Sequence, residues 1–280
     1  MSGNPSPRTP SQRIAWTTTI VASTLVFIFL MAPILAIMPL SFSSGSYLTY
    51  PLPGLSLRWY EDFISSARWM TSLKNSMIIG VASTVLSMVL GTLAALGLAQ
   101  WKSRLKPLVL AVVLSPVVVP GVITAVGLYF FFAPIGLTGS YLGLILAHTA
   151  LATPFVVIPV SATLQSFDMN LARAAASLGA SPLYAFCRVI LPLILPGLAS
   201  GALFAFATSF DEVVIVLFMA GPEQRTLPRE MFSGIRENIS PTITAAAVIL
   251  TTTCYRRLLP RGRLWRSPTV SWRRSKEASC

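Results

Sequence analysis

From Ile14 to Leu40 the chain carries 27 consecutive residues without a charged side chain. As a helix, such a run extends about 40 Å, beyond the roughly 30 Å hydrocarbon core that about 20 apolar residues cross. It is about twice as long as the apolar part of a secretory signal, so it reads as an uncleaved first membrane span, with a cleaved signal as the other reading. Four further apolar runs follow, at 75–99, 108–132, 142–164 and 190–220. In lipid a backbone must satisfy its own N–H and C=O groups, which in continuous apolar sequence means helices. The expected fold is an all-α polytopic membrane bundle of about six transmembrane helices.

Composition agrees: 54% of the residues are hydrophobic and only 11% are charged, against about a quarter in soluble domains. The formal charge of +12 is unevenly spread. From Arg256 onward eight Lys or Arg face one acid, Glu277, so the tail 256–280 supplies +7 of it. A basic excess confined to a tail and to short loops argues against a nucleic-acid partner. Cys187, Cys254 and Cys280 have no metal-ligand spacing and suggest neither a zinc site nor a disulfide framework. No cofactor is expected.

Residues 1–13, rich in Pro, Ser and Arg, read as disordered. Residues 41–74 read as a polar and aromatic loop with one short amphipathic helix near 57–64. The second run places Ser83, Ser87, Gly91, Ala95 and Ala99 at every fourth position, a ridge of small residues that lets another helix approach closely. The third carries Pro116, Pro120 and Gly121, and the fourth carries His148, Pro154 and Pro159. Proline frees a backbone carbonyl that only protein or water can satisfy, so these helices are expected to line the bundle interior. His148 is either a gating group or a hydrogen-bonded packing residue. The fifth run holds Asp211 and Glu212 deep in apolar sequence, where carboxylates face a water-filled path or a partner's charge. On one continuous helix the two would point about 100° apart, so only one would face a path squarely. A charged loop at 221–241 has three arginines and three glutamates.

A polar interlude at 168–192 separates the fourth and fifth runs. Asp168 or Asn170 can cap a helix over 171–178, Gly179 sits where a helix stops in a left-handed turn, and Ser181 with Pro182 starts another. Leu171, Ala175 and Leu178 share a face, and such a narrow alanine-rich helix suits a groove on a partner. Arg173-Ala174-Ala175, three residues, Gly179, nine residues, Val189, one residue and Leu191-Pro192 resemble the cytoplasmic loop of membrane subunits of type I ATP-binding-cassette importers, whose pattern is Glu-Ala-Ala-x3-Gly-x9-Ile-x-Leu-Pro. The spacing matches throughout. One departure matters: Arg173 stands at the glutamate position, preceded by Ala172. The resemblance implies a type I importer permease fold in which Arg173, Ala174, Ala175, Gly179, Leu191 and Pro192 couple to a dimer of cytoplasmic ATPase subunits. It also implies a second permease subunit, a periplasmic substrate-binding protein and alternating access driven by ATP in the partner chains.

The stretch from Phe210-Asp211-Glu212 through Gly221-Pro222-Glu223-Gln224-Arg225 to Gly234-Ile235-Arg236-Glu237 is similar to the spermidine/putrescine branch of these importers, in its second membrane subunit. Asp211 and Glu212 on the translocation pathway would attract a cationic polyamine. Related branches carry iron, sulfate, thiamine or opines. Counting Lys and Arg in alternate loops gives fifteen on the side of the 168–192 loop and both termini, and six on the other, which predicts that loop and both termini in the cytoplasm of a bacterial inner-membrane protein.

No Gly-x4-Gly-Lys-Ser/Thr loop and no catalytic cluster occurs, so the chain itself is not expected to hydrolyse ATP. A secondary transporter would need an ion site and internal repeats, and a membrane enzyme a fuller cluster than His148 with Asp211. A degenerate, non-transporting permease is the rival suggested by Arg173 and by the end of the chain. There a sixth span at 242–255 has only fourteen residues before the Arg-rich tail, about 21 Å of helix. The abrupt change near Thr253 suggests a shifted reading frame.

Overall fold

The computed structural model describes residues 9–165, 170–237 and 240–258, with the backbone alone for residues 172, 173, 236, 237 and 254–258. These residues form helices and one isolated β-bridge. The described residues fall into two compact units, those within 1–60 and 240–280 and those within 61–239.

The first unit contains α1 (Pro10–Leu40). It starts four residues before the apolar run, which corrects the expectation of disorder through residue 13. Thr9 and Gln12 form a reciprocal capping box, and Pro10 supplies a preset φ at the first turn. Residues 1–8 lie outside the described residues. After α1 the chain folds on itself through the Ser43–Leu55 bridge, the Trp59 indole donating to Ser43 O (2.7 Å) and a 2.7 Å contact between the Ser41 and Tyr60 hydroxyls. α2 (Arg58–Ser65) is the expected amphipathic helix. The last helix, α12 (Pro241–Leu258), packs on α1. It is longer than fourteen residues because it runs through Arg256 and Arg257, although the stretch without a charge is only 241–255. Most of the 256–280 tail lies outside the described residues.

The second unit is built on three helices: α3 (Ala67–Gln100), α6 (Tyr141–Gln165) and α9 (Leu191–Asp211). α3 starts eight residues before residue 75, so the expected 41–74 loop is shorter than supposed. Its first turns carry charges outside the apolar run, where Arg68 finds a partner described below. Ser83, Ser87, Gly91 and Ala95 are buried, whereas Ala99 at the end of the ridge is exposed. A β-carbon on Gly91 would lie 2.8 Å from Cβ of Val156 on α6. Against that same helix, a β-carbon on Gly197 of α9 would meet Pro159 O of α6 at 2.9 Å. Lipid offers no hydrophobic drive for helices to associate, so this close backbone approach is what holds them together.

The third run is a broken span. α4 (Lys106–Val118) and α5 (Gly121–Phe132) meet at 109°, with Pro120 at the corner. The expectation that the proline-bearing helices line the interior holds for α6, which is buried along its length, and for one face of α5. It fails for α4, which buries none of its residues within this chain. The fifth run also differs. Its helix starts at Pro182 and continues to Asp211 as α8 (Pro182–Ala185), a π-helical turn (Phe186–Ile190) and α9. It breaks at Glu212, and a separate α10 (Val214–Met219) follows. The expected 221–241 loop contains α11 (Leu227–Glu237).

Candidate coupling loop and acidic cavity

The loop between α6 and α9 opens with α7 (Asn170–Ser177). Asp168 lies outside the described residues. The helix stops as its sequence predicts: Gly179 has φ +83°, its N–H donates to Ala176 O and the Ala180 N–H donates to Ala175 O, both at 3.0 Å. This pair of bonds is a Schellman motif, which satisfies the last carbonyls and needs a left-handed residue at the position of Gly179. Ser181 then accepts the Tyr184 N–H at 3.3 Å and Pro182 occupies the first turn of α8. Two helices are thus set at a fixed angle by a four-residue joint, 178–181.

The motif residues divide by environment. Ala174, Gly179 and Pro192 are exposed and Ala175 is half-buried. Leu171, Leu183 and Tyr184 are exposed, and Leu178 is 89% exposed. Arg173 lies on α7, its side chain outside the described residues. At the other end of the motif Leu191, with Phe186 and Ile190, joins the core formed by Ala95, Val156 and Ile194. Between them a cleft of about 670 Å³ runs from Ala176 and Pro182 to Leu96 and Lys102 of the α3 end. One end of the loop therefore presents apolar surface to the outside, and the other is packed into the bundle.

The two carboxylates stand at the end of α9 rather than deep within a helix. Asp211 is its last residue and is exposed; Glu212 follows in an extended conformation. The Glu212 carboxylate accepts the Ile215 N–H at 2.9 Å, which explains why a new helix begins there. Because the backbone turns between them, both acids line one open cavity of about 530 Å³ with Ala207 and Thr208. This corrects the expectation, drawn for a continuous helix, that only one could.

Behind the acids, Ser209 faces the opposite way and is buried. Its hydroxyl lies 2.8 Å from Ser83 Oγ of α3 and 2.8 Å from His148 Nδ1 of α6. His148 is thus a hydrogen-bonded interior residue. At the far end of α3, Asn75 donates to the carbonyls of Glu223 (2.7 Å) and Arg225 (2.9 Å) and accepts from the Tyr141 hydroxyl (2.8 Å). Glu230, 3% exposed, pairs with Arg68 at 2.9 Å and lies 3.9 Å from Arg225. Arg229 donates to Val216 O and Ala220 O; burial, then the neighbouring Arg225 charge, lowers its pKa against an opposing effect of Glu230. Neither polar cluster was legible in advance, because each joins residues more than sixty positions apart. The sequence signals were Ser83 on the small-residue ridge and His148, whose two readings included a hydrogen-bonded packing residue.

Residues 87–256 match the family model of the binding-protein-dependent transport system inner membrane component. The chain is 29% identical over 227 residues to the spermidine/putrescine transport system permease protein PotC of Escherichia coli K12, covering 81% of this chain and 86% of that one. Against the putrescine transport system permease protein PotI of the same strain it is 33% identical over 248 residues, 86% and 87% of the two chains. The molybdenum transport system permease protein ModB of Mycobacterium bovis is 34% identical over 231 residues, 73% and 88%. Among solved structures, a bacterial ABC transporter involved in the import of the acidic polysaccharide alginate superposes with a TM-score of 0.67 at 16% identity. That match covers 90% of this chain and 99% of the other, and it speaks for the fold.

Proposed function

This chain belongs to the binding-protein-dependent transport system inner membrane components, and from that premise we propose that it carries polyamines, putrescine or spermidine, through the acidic cavity beside Asp211. As a membrane permease subunit of an ABC importer it supplies the path. In this reading, cytoplasmic ATPases supply the energy, a binding protein on the opposite side delivers the substrate, and a second permease subunit completes the pathway. The observation that carries the polyamine assignment is the placing of both carboxylates on one open cavity. A diammonium chain offers only donors and positive charge, and two acceptor-only groups match it. The similarity to PotC and PotI supports the same substrate class; that to ModB favours testing oxyanions beside it.

Coupling follows from the loop. The exposed Leu171 and Leu178 suit a groove on an ATPase, with the loop on the cytoplasmic side where basic residues concentrate. Closure of the ATPase pair would shift α7, and the Gly179 joint would hand that shift to the helix starting at Pro182. The test is reconstitution of this chain with its ATPase, sister permease and binding protein in proteoliposomes. ATP-dependent uptake of labelled putrescine that falls at least tenfold in Asp211→Asn supports the reading. Uptake of molybdate or another anion instead, or putrescine uptake indifferent to Asp211, refutes it. Assembly without transport of any tested solute would favour the non-transporting permease suggested by Arg173.

A further inference from the structure

The hydrogen-bonded crossing of α3, α6 and α9 has a definite polarity. Ser83 Oγ donates to Gly80 O at 3.2 Å, its own helix's carbonyl. Ser209 then has one proton to give, to Ser83 or to His148, and the remaining contact must be filled by the other partner. If the imidazole carried its proton on Nε2, that N–H would be a buried donor with no acceptor, since Nε2 has no partner among the described residues. With the proton on Nδ1, every donor is used: His148 Nδ1–H to Ser209, Ser209 to Ser83, Ser83 to Gly80 O. Only a bare Nε2 lone pair is left, and a buried acceptor without a partner is better tolerated than an orphaned N–H. His148 is 1% exposed, Ser83 is fully buried and Ser209 is 5% exposed, so water does not compete for these bonds.

This relay sits at the back of the acidic cavity. Ser209 and Asp211 are two residues apart on α9 and so point about 200° apart around it. The cavity is lined by Ala207, Thr208, Asp211 and Glu212, within three residues of Ser209 on either side. α9 ends at Asp211, where a helix has no following turn to hold it and its last residues would fray or turn about the axis. The Ser209 tie is the side-chain hydrogen bond that links this final turn to both neighbouring helices among the bonds described.

We propose that His148 and Ser209 are positioning residues for substrate: their relay fixes the rotation of the α9 end, and with it the aim of Asp211 into the cavity. The substrate half of this inference rests on the polyamine reading; the rotational half does not. In the reconstituted complex, Ser209→Ala and His148→Leu are expected to raise the KM for putrescine at least fivefold with Vmax changed less than twofold. His148→Asn, whose amide can place an N–H where Nδ1–H stands, restores the parent KM, and His148→Gln, which places it at the Nε2 position, does not. Equal KM values for the Asn and Leu variants would overturn the proposal.

A second measurement needs no substrate. In a complex freed of its native cysteines, a water-soluble thiol reagent should modify Ala207→Cys on the cavity side much faster than Ala205→Cys, which is fully buried. Adding His148→Leu should narrow that ratio at least tenfold, and His148→Asn should leave it intact. An unchanged ratio in His148→Leu overturns the proposal, whatever solute the complex carries. A changed ratio in a complex that takes up no putrescine would leave the relay standing and discard the polyamine reading.

Discussion

Gly179→Ala isolates one property of the proposed coupling loop. No atom lies within 4 Å of where the new β-carbon would stand, so the substitution meets no steric obstacle. What it meets is φ +83°, a conformation that costs an L-residue about 1–2 kcal/mol. The loop either keeps its shape at that cost or leaves it, losing the bonds from Gly179 to Ala176 O and from Ala180 to Ala175 O. If the ATPase recognises the bent α7–α8 form, its affinity should fall by the same free energy, about 5- to 30-fold at 1.4 kcal/mol per tenfold. Titration of the ATPase onto the permease in nanodiscs reads this directly. Asn, which tolerates the left-handed region, should lose less than Ala. Pro should lose most, because its fixed φ is incompatible and it has no N–H to donate. The thermal midpoint of the bundle should barely move, since the joint is exposed. An affinity for Gly179→Ala within twofold of the parent, or the order Asn worse than Ala, would refute the argument.

Gly91→Val should loosen the α3–α6 packing by about 1–3 kcal/mol, the usual range for overpacking, because even a β-carbon would sit 2.8 Å from Val156 Cβ; a nanodisc melting curve indistinguishable from the parent's would contradict the close approach. Arg68→Ala should destabilise more than Glu230→Gln, by about 1–2 kcal/mol against less than 1, since the first leaves a carboxylate that is 3% exposed with its remaining ion pair among the described residues, Arg225, at 3.9 Å, and the second leaves an arginine free to hydrate. The reverse order of melting points would count against a buried charge there. Glu212→Gln should transport better than Glu212→Leu, because an amide oxygen still accepts the Ile215 N–H; equal uptake by the two would mean that this bond does not hold the α10 start.

The residues that announce the bundle are those whose meaning is local or periodic. Ser83, Ser87, Gly91 and Ala95 repeat every fourth position, and the pattern alone states which face of α3 must meet another helix. Gly179 and Ser181-Pro182 are likewise self-contained, since a left-handed turn and an N-cap need only their immediate neighbours. What escaped depends on partners remote in sequence. The fifth run looked like one span through Asp211 and Glu212 because nothing polar interrupts 213–220; the break comes from a glutamate side chain taking a backbone N–H three residues on. α11 was hidden in a loop because its buried Glu230 pairs with Arg68, 162 positions earlier. Ser209 gave no sign of its role, since serine in a membrane helix usually bonds to its own preceding turn.

The unbroken helix from Pro182 to Asp211 has a mechanical meaning. Its 30 residues make a rod of about 45 Å. Gly197 and Gly201 press it against Pro159 and Val156, some 26 Å from the Pro182 end and about 18 Å from Asp211 at 1.5 Å per residue. In the coupling proposed above, that contact would serve as a fulcrum. A sideways push of about 3 Å on the Pro182 end would swing Asp211 about 2 Å the opposite way, the ratio being set by where the two glycines fall. Moving that glycine pair one turn toward Pro182 would lengthen the far arm and enlarge the stroke at the acids for the same push.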